Sequence, residues 1–341
     1  MKKLFAFVWT LVAMLGASAS LCATPEQAKV VIAVGGKASL YYLPLTLAEQ
    51  LGYFKDEGLQ VEILDFAGGA KALQAMMGGS ADVVSGGFDH VMVMRARDQN
   101  LRAFVLQGAT PAISLGVSKE LAARYTSAKD LKGLKIGVSA PGSSTHAFVN
   151  HLLASAGLAP DDVSIIGVGT GAAAVAAMQA GHLDAIANIE PAITMMQRAG
   201  TIKVVVETVS VQGAKSIFGS SLPSGSLYTR EAFIQTHPHT VQALTNAMVR
   251  ALKWLKSAKP DDVARAVPEQ YLFGERALYL EAYGKNSGSY SKDGLFPPSG
   301  AEALLKVLRG FEPAVRDAAG VKATDAYTNE FVQKALAKYR N

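Results

Sequence analysis

The chain has 341 residues, of which 50% are hydrophobic and 18% are charged, and its formal net charge is +5. Lysine and arginine are spread along the chain without a cluster, so the composition does not favour binding to nucleic acid. Cys22 is the only cysteine, which excludes an internal disulfide and leaves the fold to be stabilised by its core.

The N-terminus has the order of residues found in a secretory signal peptide. Two lysines follow Met1, residues 4–15 are almost entirely apolar, and small residues follow. This order predicts export to the periplasm, with cleavage after Ala19 or Ala23, and residues 1–23 are assigned to the signal peptide. A lipoprotein signal has a small residue before its cysteine, whereas Leu21 stands there, so a lipid anchor on Cys22 is not favoured.

Cleavage after Ala23 leaves about 318 residues, with a net charge of about +3, which is enough for two domains. No later apolar run is long enough to cross a membrane. Apolar runs and amphipathic segments then alternate, which is typical of an α/β fold. The first strands are predicted at residues 29–34, 59–66 and 81–87, the first helices at 44–51, 69–77 and 88–97, and later helices at 240–256, 301–308 and 325–339.

The same pattern returns about 102 residues further along the chain. The segment GAKALQAMMGGSADVV aligns with GAAAVAAMQAGHLDAI, and the alignment pairs Gly79 with Gly181 and Asp82 with Asp184. A repeated strand–helix–strand unit predicts two similar α/β lobes.

Loops at the carboxyl ends of the predicted strands form the candidate ligand site, because ligands of doubly wound sheets bind at that edge. Two of these loops lead directly into helix N-termini, where backbone N–H groups and the helix dipole favour an anionic group. No loop contains an arginine, and Lys37 and Lys71 are the only lysines, so an anion would be held mainly by backbone and hydroxyl groups. The loops are residues 35–43, 66–71, 85–90, 139–145 and 188–191.

Four segments together resemble the substrate-binding proteins of ABC importers for nitrate, sulfonates and taurine. That family also includes binders of thiamine-pyrimidine precursors. The segments cover most of residues 29–191. They are YYLPLTLAEQLGYFKDEGLQVEIL, FAGGAKALQAMMGGSADVVSGG, SAKDLKGLKIGVSAPGSSTHAFVNHLLASAGL and GHLDAIANIEP.

The resemblance implies a type II periplasmic-binding-protein fold, with two α/β lobes, two crossover segments and a ligand cleft between the lobes. The crossovers would fall near residues 112–117 and 224–229. Residues 24–111 plus 224–341 would then form lobe 1, and residues 112–223 would form lobe 2. The resemblance also implies a monomer that closes on a small organic anion, such as a sulfonate, taurine, nitrate or a carboxylate-like compound. The expected partners are membrane permease and ATPase subunits, without nucleic acid, cofactor or metal.

The family motifs and loop positions select a set of candidate ligand-binding residues. The aromatic rings of Tyr41 and Phe88, and that of the neighbouring Tyr42, can stack on a flat ligand. Tyr42 can equally belong to the core. Several sulfonate binders carry a Trp-Asp-Pro-like element where this chain has Asn-Ile-Glu-Pro, so Glu190 can meet a ligand amine or ring N–H, or can pair locally. The set is Lys37, Ser39, Tyr41, Gly69, Ala70, Gly86, Phe88, Ser143, Ser144, Thr145 and Glu190.

Three other functions remain open: a binder of a pyrimidine or other aromatic precursor, a biosynthetic enzyme with the same fold, and a sensor that presents its ligand to a receptor. The signal peptide argues against the enzyme. The chain has no H-E-x-x-H motif, no Cys/His set with zinc spacing and no G-x-S-x-G elbow. The run GVGTG at residues 167–171 lacks the spacing of a dinucleotide-binding loop. We therefore expect no catalytic residues.

Overall fold

Two five-stranded sheets form the centres of two lobes. The computed structural model describes residues 24–340, so the predicted signal peptide and Cys22 lie outside the described residues. The strands are β1 Lys29–Val34, β2 Gln60–Asp65, β3 Val83–Gly87, β4 Leu101–Leu106, β5 Ile113–Ser118, β6 Lys135–Val138, β7 Ser164–Gly167, β8 Ala185–Ile189, β9 Ile202–Glu207 and β10 Gly225–Arg230.

Both sheets have the same topology. Their strand orders are β2-β1-β3-β10-β4 and β7-β6-β8-β5-β9. In each sheet the first three strands are parallel, and the fourth is antiparallel to them. The antiparallel strands are exchanged along the chain, because β5 opens the second sheet and β10 completes the first after the chain returns. The predicted α/β fold with two lobes is confirmed.

The helices cover both sheets, and none in the described part of the chain is long and apolar enough to span a membrane. Helix α11 has 20 residues and buries Val241, Leu244 and Met248 on the face that their spacing predicts. The helices are α1 Leu43–Gln50, α2 Tyr53–Asp56, α3 Gly69–Met77, α4 Phe88–Arg95, α5 Lys119–Ala122, α6 Ser144–Ser155, α7 Ala172–Gln179, α8 Ala192–Arg198, α9 Val211–Phe218, α10 Glu231–Thr236, α11 Pro238–Ser257, α12 Pro260–Ala266, α13 Arg276–Asn286, α14 Pro298–Arg309, α15 Pro313–Asp317 and α16 Glu330–Lys338.

The aspartates that the repeat aligns make equivalent hydrogen bonds in the two lobes. Asp82 Oδ2 accepts the backbone N–H of Val31 at 2.8 Å, and Asp184 Oδ2 accepts that of Lys135 at 2.8 Å. Each bond ties the start of one strand to the neighbouring parallel strand. The aspartate of the repeat therefore has the same structural role in both lobes, which is to bind the backbone of the neighbouring strand.

Three segments differ from the sequence prediction in their structure. The predicted crossovers at residues 112–117 and 224–229 lie almost wholly within β5 and β10, and the passages between the sheets come just before these strands. Short apolar runs do not reveal from periodicity whether they are buried strands or connections. The predicted helix at residues 325–339 begins only at Glu330, because Thr328 donates its backbone N–H to Ala103 at the edge of the first sheet.

Candidate functional site

The carboxyl ends of the parallel strands meet between the lobes and line a polar cavity. The space open to water in this cavity is small, about 20 Å³. Its walls are backbone, hydroxyl and aromatic groups from both lobes, together with the side chains of Ile113 and Ile189. The lining residues include Gly35, Tyr41, Tyr42, Gly69 and Gly87 from the first lobe, and Ser139, Ser143, Ser144, Thr145 and Thr170 from the second.

Three hydrogen bonds join the lobes around this cavity. The backbone N–H of Ala70 donates to Ser143 Oγ at 2.9 Å, and Ser144 Oγ donates to Asp89 Oδ1 at 2.7 Å. A third bond runs from the backbone N–H of Leu40 to the carbonyl of Glu190 at 3.0 Å. The loops at the start of α3 and α6 therefore contact each other directly, and the lobes are closed.

Helix α6 brings hydrogen-bond donors to the cavity. The first backbone N–H groups of a helix have no partner within the helix, and among residues 24–340 neither Ser144 nor Thr145 has an acceptor for its N–H. The helix dipole adds partial positive charge at this end. Thr145 Oγ1 is itself positioned, because it accepts the backbone N–H of Ser139 at 3.0 Å. This wall of the cavity can hold an acid group without a basic side chain.

Glycines allow the loops around the cavity to approach one another this closely, both within the first lobe and between the lobes. A Cβ atom on Gly35 would lie 2.3 Å from the backbone carbon of Gly68, within the first lobe. A Cβ on Gly36 would lie 1.9 Å from Oγ1 of Thr170 in the second lobe, and Gly36 has φ = +102°. Both the contact and the backbone conformation at Gly36 therefore require glycine.

Two tyrosines form the aromatic wall of the cavity. The rings of Tyr41 and Tyr42 pack edge to face, with centroids 4.9 Å apart. The Tyr41 hydroxyl forms a hydrogen bond with Ser224 Oγ at 2.8 Å. Burial raises the pKa of both tyrosines well above the ordinary value, so their hydroxyls stay neutral at physiological pH. Tyr42, for which the sequence left two roles open, is buried and also lines the cavity.

Lys37, predicted to bind the ligand, does not line the cavity. Its ammonium group lies 3.0 Å from a carboxylate oxygen of Glu49, and this ion pair fixes it on the first lobe. Ser39 and Lys71 line an open groove at the mouth of the cleft, beside Thr170. The structure thus places the predicted lysines outside the polar cavity.

Phe88 and Gly86 belong to the packing of the first lobe. Phe88 is fully buried, and its ring centroid lies 4.8 Å from that of Phe296. A Cβ on Gly86 would meet the hydroxyl of Tyr228 at 3.1 Å, so this glycine makes room for a buried side chain. In the closed structure the ring of Phe88 packs in the core and does not line the polar cavity, whereas the sequence predicts that it stacks on a ligand.

Glu190 takes the local role that the sequence left open. Its carboxylate accepts the backbone N–H and the hydroxyl of Thr194, each at 3.0 Å. Burial raises the pKa of the Glu190 carboxyl, and the bonds from Thr194 oppose this rise. Its backbone carbonyl, and not its side chain, takes part in the contact between the lobes.

Nothing in the sequence singled out Asp89 or Thr170 as a residue of the site. Asp89 lies within a predicted loop, residues 85–90, and in the first turn of α4. An acidic residue in the first turn of a helix is commonly explained by the helix dipole. The position of Asp89 in the sequence therefore did not indicate a contact with the other lobe. In residues 24–340 no group of three or more His, Cys, Asp or Glu side chains is placed to hold a metal ion.

An ion cluster between the lobes joins α8 to α13. Arg198 of α8 pairs with Glu275 and, at 2.7 Å, with Glu281. Lys285 lies 2.9 Å from Glu281 and donates to Thr194 Oγ1 at 3.1 Å. The hydrogen bonds from Lys285 and Arg198 lower the pKa of the Glu281 carboxyl. Because α13 also packs against residues Leu40–Tyr42 of the first lobe, this cluster connects the two lobes.

Replacing Arg198 with alanine should weaken solute binding modestly, because it removes ion pairs that form between the closed lobes. Exposed ion pairs contribute little, so the dissociation constant should rise roughly two- to fivefold at low salt, and the difference should disappear at high salt. Calorimetric titration with the solute found by screening measures this. Arg316→Ala is the control, because Arg316 pairs with its neighbour Asp317 on α15. Equal affinities of the two variants at low salt would exclude a role of the cluster in closure.

Two α/β lobes of one topology, with one exchanged strand each and a polar cavity between them, define the periplasmic-binding-protein fold. Residues 39–262 match the family model described as NMT1/THI5 like. The match spans more than half of the chain, and the protein belongs to this NMT1/THI5-like family. The resemblance found in the sequence is confirmed.

Known proteins are similar over most of the chain. A solved structure from Bordetella bronchiseptica RB50 is 53% identical, with a TM-score of 0.90, and the match covers 93% of this chain and 99% of that one. The alkanesulfonate-binding protein SsuA from Xanthomonas axonopodis pv. citri, bound to MOPS, is 20% identical with a TM-score of 0.69. The match covers 89% of this chain and 99% of that one. At this identity the likeness shows the fold alone. The taurine-binding periplasmic protein of Escherichia coli K12 is 25% identical over 223 residues, covering 62% of this chain and 65% of that protein.

Proposed function

We propose that the protein is an extracytoplasmic solute-binding protein of an ABC importer. It captures a small organic solute between its lobes and presents the closed form, as a monomer, to the permease and ATPase subunits. The observation that carries the proposal is the direct bonding of first-lobe loops to Ser143 and Ser144 of the second lobe. A solute that contacts both sets of loops binds the closed form better than the open form, so it shifts the population towards closure.

The chemistry of the cavity supports a small organic anion as the solute. Its lining residues include no lysine or arginine, and the donors are the backbone N–H groups at the start of α6 together with serine and threonine hydroxyls. The relatives whose names refer to taurine and alkanesulfonates support an acid of the sulfonate, taurine or carboxylate type. We propose Tyr41, Gly69, Ala70 and residues 143–145 as the binding set, with residues 24–111 plus 224–341 as lobe 1 and 112–223 as lobe 2. A pyrimidine or other aromatic precursor is the alternative solute.

A thermal-shift screen of the mature protein tests the proposal. The panel contains sulfonates, taurine, nitrate, carboxylates and pyrimidines. A true solute at 100 times its dissociation constant should stabilise the folded protein by about 2.7 kcal/mol. Mass spectrometry of the bound compound should recover it unchanged, because we propose binding without catalysis. Conversion of a tightly bound compound would contradict this part of the proposal and favour the enzyme alternative.

The location follows from the same proposal. The signal-like N-terminus and the E. coli relative named as periplasmic support export to the periplasm. N-terminal sequencing of the protein from cells should find a first residue between Ser20 and Thr24. A cellular protein that retains Met1 would contradict export with cleavage.

A further inference from the structure

Equivalent serines of the two lobes have different partners across the cleft. Ser39 lies five residues after the end of β1, and Ser143 lies five residues after the end of β6. Ser143 Oγ accepts the backbone N–H of Ala70, at the start of α3, at 2.9 Å. The sequence repeat pairs Ala70 with Ala172, at the start of α7. The corresponding bond between Ser39 and Ala172 is not formed, so one of two equivalent contacts between the lobes is left open.

Two buried hydroxyls face this open contact. Ser39 and Thr170 are 5% and 7% exposed, and within residues 24–340 neither hydroxyl has a hydrogen-bond partner. A Cβ atom on Gly36 would lie 3.1 Å from Ser39 Oγ and 1.9 Å from Thr170 Oγ1, so the two oxygens are at most about 5 Å apart. Because an O–H···O hydrogen bond measures about 2.7 Å, one acceptor oxygen can take bonds from both hydroxyls. A buried hydroxyl without a partner is unfavourable, so this pair points to a ligand atom.

Both hydroxyls line the open groove at the mouth of the cleft, where about 810 Å³ is open to water. The first residues of α7 line the same groove. Among residues 24–340, the backbone N–H groups of Gly171, Ala172 and Ala173 have no acceptor. Helix α7 has eight residues, and its dipole adds partial positive charge at this end. The groove therefore offers hydrogen-bond donors from both lobes to an acceptor group.

The charges in the groove favour an anionic acceptor. The charged residues that line it are Asp65 and Lys71. Asp65 Oδ1 is already occupied, because it accepts the backbone N–H groups of Gly36 and Lys37 at 2.9 and 2.8 Å. Asp65 is exposed, so water and salt screen its charge. Lys71 has no ion pair within the described part of the chain, so its ammonium group is free to meet an anion.

We infer that this groove is a second ligand subsite, and that it binds an oxyanion between the lobes. The hydroxyls of Ser39 and Thr170 and the N–H groups at the start of α7 donate to the oxyanion, and Lys71 supplies the positive charge. The oxyanion is either a second acid group of the solute or a separate inorganic anion. Because both lobes hold it, it favours the closed form. The inference deepens the proposed function and rests on it for this effect on closure.

Sulfate is the first probe, because it is an oxyanion without any other group. Calorimetric titration of the mature protein at constant ionic strength should show saturable binding, with a dissociation constant below about 5 mM. Thr170→Val removes the hydroxyl and keeps the shape of the side chain. It should weaken sulfate binding by about tenfold, as expected for the loss of a hydrogen bond to a charged group. Thr170→Ser keeps the hydroxyl, so its affinity should stay within about threefold of the wild type.

Lys71→Gln tests the cation, with Lys322→Gln as the matched control on the same lobe. Lys71→Gln should weaken sulfate binding about two- to fivefold at low salt, because an exposed charge pair contributes little, and the effect should shrink at high salt. Lys322 is exposed, does not line the groove and forms no ion pair within residues 24–340, so its replacement should leave sulfate binding unchanged. Circular dichroism checks the folding of each variant.

A second titration identifies the source of the oxyanion. The organic solute with the largest thermal shift is titrated with and without saturating sulfate. If the solute places its own acid group in the groove, sulfate competes with it and raises its dissociation constant. If a separate anion assists closure, sulfate lowers the dissociation constant of the solute. An unchanged value would contradict the role of the oxyanion in closure.

Two results would overturn the subsite itself. One is a dissociation constant for sulfate above about 5 mM, and the other is equal sulfate affinity of the Thr170→Val and Thr170→Ser variants. Either result leaves the proposed function intact if a screened solute still compacts the protein in solution scattering. Absence of compaction with every solute would overturn the proposed function, whereas sulfate binding that depends on the Thr170 hydroxyl would still support the subsite.

Discussion

Replacing Ser144 with aspartate is expected to weaken solute binding by at least about tenfold, or about 1.4 kcal/mol. The new carboxylate would face Asp89, whose Oδ1 atom now lies 2.7 Å from Ser144 Oγ. Two like charges about 4 Å apart repel by about 4 kcal/mol at an effective dielectric constant of about 20. The same carboxylate would also repel an acid group at the start of α6. Both effects disfavour the closed, loaded form.

Folding of the Ser144→Asp variant should be nearly unaffected, because an acid is favourable in the first turn of a helix. Calorimetric titration gives the affinity, and circular dichroism checks the fold. Ser144→Asn is the matched control, because it has a similar size and no charge. A folded Ser144→Asp variant with the affinity of the asparagine variant would remove this contact from the site.

Gly36→Ala should hold the lobes apart and reduce affinity by about tenfold or more. Its Cβ atom would lie 1.9 Å from Thr170 Oγ1, so closure would require one loop to move. Alanine at φ = +102° is also strained locally. Solution scattering should show a more open protein in the presence of solute, and titration should show the weaker binding.

Two variants distinguish the contact between lobes from local strain. Gly142→Ala carries similar local strain, at φ = +83°, but its nearest contact would be Ala70 Cβ at an ordinary 3.7 Å, so it should still close. Adding Thr170→Gly to Gly36→Ala removes the opposing side chain and should restore much of the affinity. Equal losses in the Gly36 and Gly142 variants would assign the effect to backbone strain.

Much of the fold can be predicted from the sequence, because its local signals agree with its tertiary structure. The apolar runs at residues 29–34 and 135–138 are the parallel strands β1 and β6. The repeat that aligns Asp82 with Asp184 shows the shared topology of the lobes. The exchange of β5 and β10 between the sheets could not be predicted, because strand partners far apart along the chain leave no local pattern.

The site is less predictable because its function depends on contacts between lobes. The loop at residues 139–145 could be predicted from glycine and hydroxyl residues before a helix. Loop position alone could not reveal that Lys37 pairs with Glu49, or that Phe88 turns into the core. Nor could it reveal that Asp89 reaches Ser144 in the opposite lobe, because that contact exists only when the lobes meet.

The central claim is that a solute closes the two lobes around the cavity between α3 and α6. Small-angle scattering of the mature protein, with and without the compound that gives the largest thermal shift, tests it most directly. The account predicts a smaller radius of gyration with the solute, and a profile that matches the closed structure. Identical profiles with and without a tightly bound solute would contradict it.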